Sequence, residues 1–322
     1  MRTLQQMALA GLLAALAGPV ARAQTAAAPA PAPAVAAPRG IGPFSVETTR
    51  GPVQVRLLRR DRELVWVVQT LSSGQQVDAG LPTKSIVKFN LPRPRLFQMM
   101  DVATPEQAKA LRPQLEQYIR QLALYRDLPG LNVDEAQMLL GHLMEQGGDW
   151  KGAAALYAEI ADQPYQPAEA GPARLRRGLC LARLGQAAEA LPLLGVEGLP
   201  DDDLELVSEV YRSRGEVLQK LGRHEEAILS YLHLVVFLPY LRNNEEQALA
   251  AVLPSYAALK DWDAAYKTVQ QLREKYKDRE SARTAEAFAV TYAEPMNKEA
   301  AFRGDTEEAP AVEEGKSDEQ TE

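Results

Sequence analysis

Three histidines, one cysteine and an acidic triplet are the residues of this 322-residue chain whose types could do chemistry. His224 and His233 lie nine positions apart, which does not stack them on one helix face as the four-residue spacing of a zinc-binding HExxH site would. His142 stands alone. Cys180 sits in RLRRGLCLARLG, on the apolar side of a helical pattern, where a thiol behaves as a small hydrophobe. Asp201 to Asp203, in LPDDDLELVSEV, could attract a cation but read more simply as the acidic start of a helix, where carboxylates favour the positive end of the dipole. No glycine-rich phosphate loop follows a strand, no GxSxG elbow occurs, and no carboxylate loop has calcium spacing. The reading is a protein that is not an enzyme, with no catalytic, cofactor or metal-binding residues.

Charge gives a second kind of site. Gly40 to Arg95 carries nine Lys/Arg against four Asp/Glu, a net of +5, while Leu96 to Arg303 carries 23 against 31, a net of −8. Arg56, Arg59, Arg60 and Arg62, with Lys84 and Lys88, make the first of these segments basic. Such a patch suits an anionic polymer. Its aromatics, Phe44, Trp66 and Phe89, are expected in a core rather than as a stacking platform.

The elements that must position these residues repeat. GGDWKGAAALY, LGQAAEALPLL, LGRHEEAILSY and LKDWDAAYKTV share a turn and a helix start. The alanine after each turn is Ala153, Ala190, Ala227 and Ala265, at separations of 37, 37 and 38 residues. Twelve residues earlier stand Gly141, Gly178, Gly215 and Leu253; the turn itself holds Gly148, Gly185, Gly222 and Lys260. A glycine inside one helix and an alanine early in the next let two helices approach closely. Tyr157, Leu194, Tyr231 and Val269, four beyond each alanine, fill the remaining gaps. A fixed period of this length marks a helical repeat array.

These units resemble tetratricopeptide (TPR) repeats, through Gly141, Gly148, Ala153, Tyr157, Gly178, Gly185, Ala190, Gly215, Gly222, Ala227, Tyr231, Pro239, Tyr256, Trp262 and Ala265, over about Val133 to Arg279. The period exceeds the usual ~34 residues. Pro192 and Gly195 in the second unit, and Pro254 in the fourth, are expected to kink or shorten their helices. The resemblance implies a groove lined by the first helix of each pair, here about Asp134–Gln146, Pro172–Leu184, Ser208–Leu221 and Glu245–Leu259. Its polar candidates are His142, Glu145, Arg176, Arg183, Arg212, Glu216 and Lys220, which would hold an extended peptide or a partner helix. The paired asparagines and lysines that clamp a carboxylate in some TPR domains are not evident.

Thr104, Pro105 and Gln107 predict a capped entry helix, bent early by Pro113. Glu280 to Phe302 is expected as one capping helix. Before the array, FSVETTR, VQVRLLRR, ELVWVVQT and SIVKFN read as strands of a small β module, expected to be barrel-like, and NLPRPRL joins the two parts. The ends read as a signal peptide over 1–23, with the apolar run Met7 to Gly18 and ARA before the cleavage point, then an Ala/Pro linker over 24–43. The tail, 304–322, carries one lysine against eight acids and reads as solvated and disordered.

The predicted organisation is therefore signal 1–23, linker 24–43, β module 44–92, helical domain 104–303 and acidic tail 304–322. The predicted fold class is mainly α: a TPR-like helical-repeat solenoid preceded by a small all-β module. The expected function is a non-enzymatic, exported scaffold of the bacterial periplasm or envelope that binds protein or peptide partners. The alternative is an accessory protein that binds an anionic envelope polymer through Arg56, Arg59, Arg60 and Arg62. Export argues against nucleic acid, no transmembrane segment is expected in the mature chain, and self-association is a third reading.

Overall fold

A computed structural model describes residues 39–71 and 73–304. The signal expected at 1–23, most of the linker, and the tail beyond Gly304 lie outside the described residues. The described chain is mainly helical, with a small antiparallel sheet at its start.

The strands are β1 (Ile41–Thr48), β2 (Gly51–Asp61), β3 (Leu64–Thr70), β4 (Gln76–Pro82) and β5 (Ile86–Asn90), in the order β4-β3-β2-β1-β5. The sheet is open, with β4 and β5 as its edges, so the expected barrel does not form. The reason lies in what covers its apolar face. Val46, Val55, Leu57, Val65, Val67, Ile86 and Phe89 pack against Leu122, Tyr125, Leu128, Leu131 and Val133 of the helical part. A helical cover removes the need for the strands to close on each other. Phe44 and Phe89 meet edge to face at 6.1 Å in this core. Trp66 lies on the other face, under the Arg59 guanidinium at 5.0 Å.

The joint between sheet and helices is tight. Phe89 N donates to Pro129 O at 2.8 Å. Gly130, at φ +86°, is pressed so close that an added methyl would sit 2.2 Å from Phe89 O. Arg93 pairs with Asp101 and with Glu135, the latter at 2.6 Å.

Helices α1 (Arg95–Asp101) and α2 (Pro105–Leu122) lead into α3 (Val133–Gln146) and α4 (Trp150–Asp162). Then come α5 (Pro167–Arg183), α6 (Ala187–Ala190), α7 (Leu204–Lys220), α8 (His224–Phe237), α9 (Asn244–Leu259) and α10 (Trp262–Lys275). The last two are α11 (Glu280–Thr291) and α12 (Ala293–Arg303). Thr104 and Gln107 form the expected capping box at α2, and Asp203 Oδ1 accepts from Leu206 N at the start of α7.

The four inter-helix turns share one geometry. Gly148, Gly185, Gly222 and Lys260 adopt left-handed φ values of +78°, +78°, +72° and +59°. The next residue's amide reaches back to the carbonyl five before it: Asp149 to Met144 at 2.8 Å, and Gln186 to Leu181, Arg223 to Leu218 and Asp261 to Tyr256 at 2.9 Å. These bonds satisfy carbonyls that a helix end leaves open.

Proline acts differently in different places. α6 ends at Ala190, two residues before Pro192, so the second unit has a stub where a helix is expected. α2 runs through Pro113 and α9 runs through Pro254 without a break, so Pro254 does not shorten its helix. Beside Pro254, Gln219 Nε2 donates to Ala251 O at 2.7 Å and to Ser255 Oγ at 2.8 Å, which gives this stretch of α9 polar support from α7. The expected single capping helix is two, divided at Tyr292. Pro295 explains the division: in a continuous helix its ring would clash with the Thr291 carbonyl.

The apolar interior of α4 to α12 falls into two cores that meet at α7, while Ala136 and Leu143 of α3 pack in a separate core with Phe97, Ala108 and Leu115. Val210 and Val217 join the core built with α4, α5 and α6; Leu218 joins the one built with α8, α9, α10 and α11. Among the described residues no helix is long and apolar enough to cross a membrane.

Candidate binding surface on the odd-numbered helices

Helix α3 carries His142 and Glu145, α5 carries Arg176 and Arg183, and α7 carries Arg212, Glu216 and Lys220. Tertiary packing joins several of them. Arg176 Nη1 lies 3.5 Å from Glu145 Oε2 and 2.9 Å from Glu209 Oε2, so one guanidinium spans α3, α5 and α7. Arg242, after α8, continues the row to Glu209 at 3.6 Å and to Glu205. Arg212 Nη2 donates to Asn244 Oδ1 at 2.7 Å, an oxygen that also accepts from Ser208 Oγ at 2.9 Å.

Burial sets the electrostatics here. It pulls His142 down to about 4, with the nearby Arg176 adding to the effect. It pushes the Glu145 carboxyl up, against the pull of Arg176. It lowers Arg212, which Glu216 and Glu209 partly offset. The Cys180 thiol is buried, donates to Glu145 Oε1 at 3.5 Å and is pushed up by its burial, which makes it an inert thiol. His142 Nε2 and Arg212 Nε are buried without a hydrogen-bond partner. Arg183 and Lys220 are exposed. His224 begins α8, and His233 stacks on Tyr211 at 3.7 Å, apart from this row.

Glu209, Asn244 and Arg242 belong to the row but do not stand out as single residues. Their signal is distance: Arg176 to Glu209, Arg212 to Asn244 and Gln219 to Ser255 span 33, 32 and 36 positions, each close to the alanine period.

The four arginines named for the polymer reading make contacts within the chain or sit at a turn. Arg60 turns to the helical side, where its guanidinium meets Asp127 and donates to Leu124 O at 2.9 Å. Arg56 donates to the backbone of Arg39 and Gly40 at 3.0 and 2.9 Å. Arg59 covers Trp66, and Arg62 occupies the β2–β3 turn at φ +51°.

No family model matches the chain, and no curated protein matches it. Among solved structures it is similar to BtubC (BKLC) from P. vanneervenii, at 14% identity over 65% of this chain and 88% of that one, with a TM-score of 0.43.

Proposed function

We propose that α3 to α10 form a TPR-like solenoid and that the protein is a non-enzymatic scaffold of the bacterial envelope. The row of charged and amide side chains shared by α3, α5, α7 and the start of α9 holds an extended segment of a protein partner. The observation that carries this reading is Arg176, whose contacts to Glu145 and Glu209 join polar groups from three helices. A line of alternating charges longer than one helical pair suits a ligand that lies across several units. Arg183 and Lys220 stand exposed at the ends of α5 and α7, free to meet acidic groups of such a ligand. The signal and linker read at the N-terminus support export.

The test is capture of partners from envelope extract, comparing the wild-type chain with Arg183→Glu/Lys220→Glu. Both positions are exposed, so the variant keeps its fold. Partners held by the wild type and lost from the variant support the scaffold; an unchanged set removes the row as the site. The polymer reading has less behind it, since Arg56 and Arg60 are committed to contacts within the chain.

A further inference from the structure

Helix α8 is apolar on both sides. Ala227, Tyr231 and Leu234 face the core and are buried. Leu229, Val236 and Phe237 face outward and are 68, 64 and 68% exposed, and Tyr240 just past the helix is 94% exposed. At about 100° per residue, Leu229, His233, Val236 and Phe237 share one arc of roughly 100°. The stripe borders the segment around α6, whose loop replaces most of a helix. α6 has four residues where α4 has 13 and α8 has 14. The loop that follows leaves a cleft of ≈ 470 Å³ whose walls include Val196, Leu204, Tyr211 and Phe237. A second hollow of ≈ 300 Å³ shares Val196, Tyr211 and His233 with it and reaches Leu229.

We propose that two copies of this chain associate through this face, with the α8 helices antiparallel about a two-fold axis and each filling the space that α6 leaves beside the other. Three observations select a second copy as the occupant. The first is area. A covered aromatic contributes ~150–250 Å², so Phe237 and Tyr240 with Leu229, Val236, Val196 and Leu204 offer on the order of 600 Å² per copy. That approaches the ~800 Å² per partner of a stable complex. The second is charge polarity. Glu225 lies at the start of α8 and Arg242, which pairs with Glu205 and Glu209 of its own chain, just beyond its end, so an antiparallel pair adds each copy's Glu225 to the other's Arg242 cluster. The third is the rim. Arg223 and Arg242 pair with Glu226 and Glu205 of their own chain, and Arg214 donates to Leu194 O. A rim neutralised in this way lacks the positive field that an anionic lipid surface selects.

The experiment is sedimentation velocity of the full chain across a dilution series, for the wild type, Phe237→Glu and Tyr240→Asp, with anionic vesicles as a parallel arm. The wild type is expected to dimerise, and each variant to weaken the dimer about thirtyfold or more, as loss of a central anchor does. Tyr240 lies outside the helix and is almost fully exposed, so its variant reports on association even if Phe237→Glu disturbs folding. A wild type that stays monomeric throughout, or a dimer that both variants leave intact, overturns the proposal. So does a monomer that binds the vesicles through Phe237.

Discussion

A methyl group placed on Gly141 would lie 2.5 Å from the ring of Tyr157, and one on Gly215 would lie 2.7 Å from the ring of Tyr231. Both tyrosines are fully buried and have no room to retreat. Gly141→Ala and Gly215→Ala should each cost about 1–3 kcal/mol through overpacking. Gly178→Ala should cost less. Its methyl would meet Leu193 and Leu194 at 3.0 Å, in the looser turn after α6. Urea unfolding of the three variants gives the ranking, and equal midpoints would refute the close-approach account.

Lys260 holds the left-handed turn position that glycine holds in the other three units. A side chain there costs roughly 1–2 kcal/mol in the backbone. Lys260→Gly should therefore raise stability by about 1 kcal/mol, and Gly222→Ala should lower it by a similar amount. Thermal melts of the two variants, moving in opposite directions, are the check.

Asp134 is a buried carboxylate with three partners: Arg126 Nε at 2.7 Å, and the amides of Tyr165 and Gln166 at 2.9 Å. It ties the start of α3 to the segment before α5. Removing it leaves two amides without an acceptor and Arg126 with Glu159 as its remaining carboxylate, so Asp134→Ala should cost about 3 kcal/mol. Asp134→Asn keeps one acceptor and should cost less. Chemical denaturation of both variants tests the order.

His142 gives a dependence on pH. Its folded value lies near 4, below the ordinary value of 6.5, because burial disfavours the charged ring. Between those values the unfolded chain takes up a proton that the folded chain refuses. Its contribution is present above 6.5 and falls away as the pH drops toward 4, by about 3 kcal/mol in full. Burial moves the neighbouring Glu145 upward, which gives the opposite slope. The difference between wild type and His142→Gln in urea midpoint, followed from pH 7 to pH 4, isolates the imidazole. A constant difference would show that the ring takes its proton at the ordinary pH in the folded protein.

The sequence was most legible where one residue type has one physical use. Glycine at Gly148, Gly185 and Gly222 follows from a left-handed turn, and Thr104 with Gln107 from reciprocal capping. Where the outcome depends on a distant partner, local pattern is silent. Strands form over FSVETTR, VQVRLLRR, ELVWVVQT and SIVKFN, but whether they close is decided by Tyr125, Leu128 and Leu131, which cover their inner face. Pro254 reads as a breaker, yet its helix continues beside Gln219 of another helix. Arg60 reads as part of a basic surface, and it is Asp127, 67 positions away, that turns it inward. The polar row is intermediate. Its members are visible in the sequence, and their pairing follows only once the spacing of Ala153, Ala190, Ala227 and Ala265 is set against the contacts.

The meeting of the two apolar cores at α7 has a consequence for how the molecule opens. Val217 and Leu218 are neighbours in the chain, yet they seal different interiors. Either half can loosen while the other still shields one side of that helix. Amide exchange should therefore be slowest along Leu206 to Leu218 and quicken outward in both directions. The middle of the chain, rather than an end, keeps its backbone protons longest.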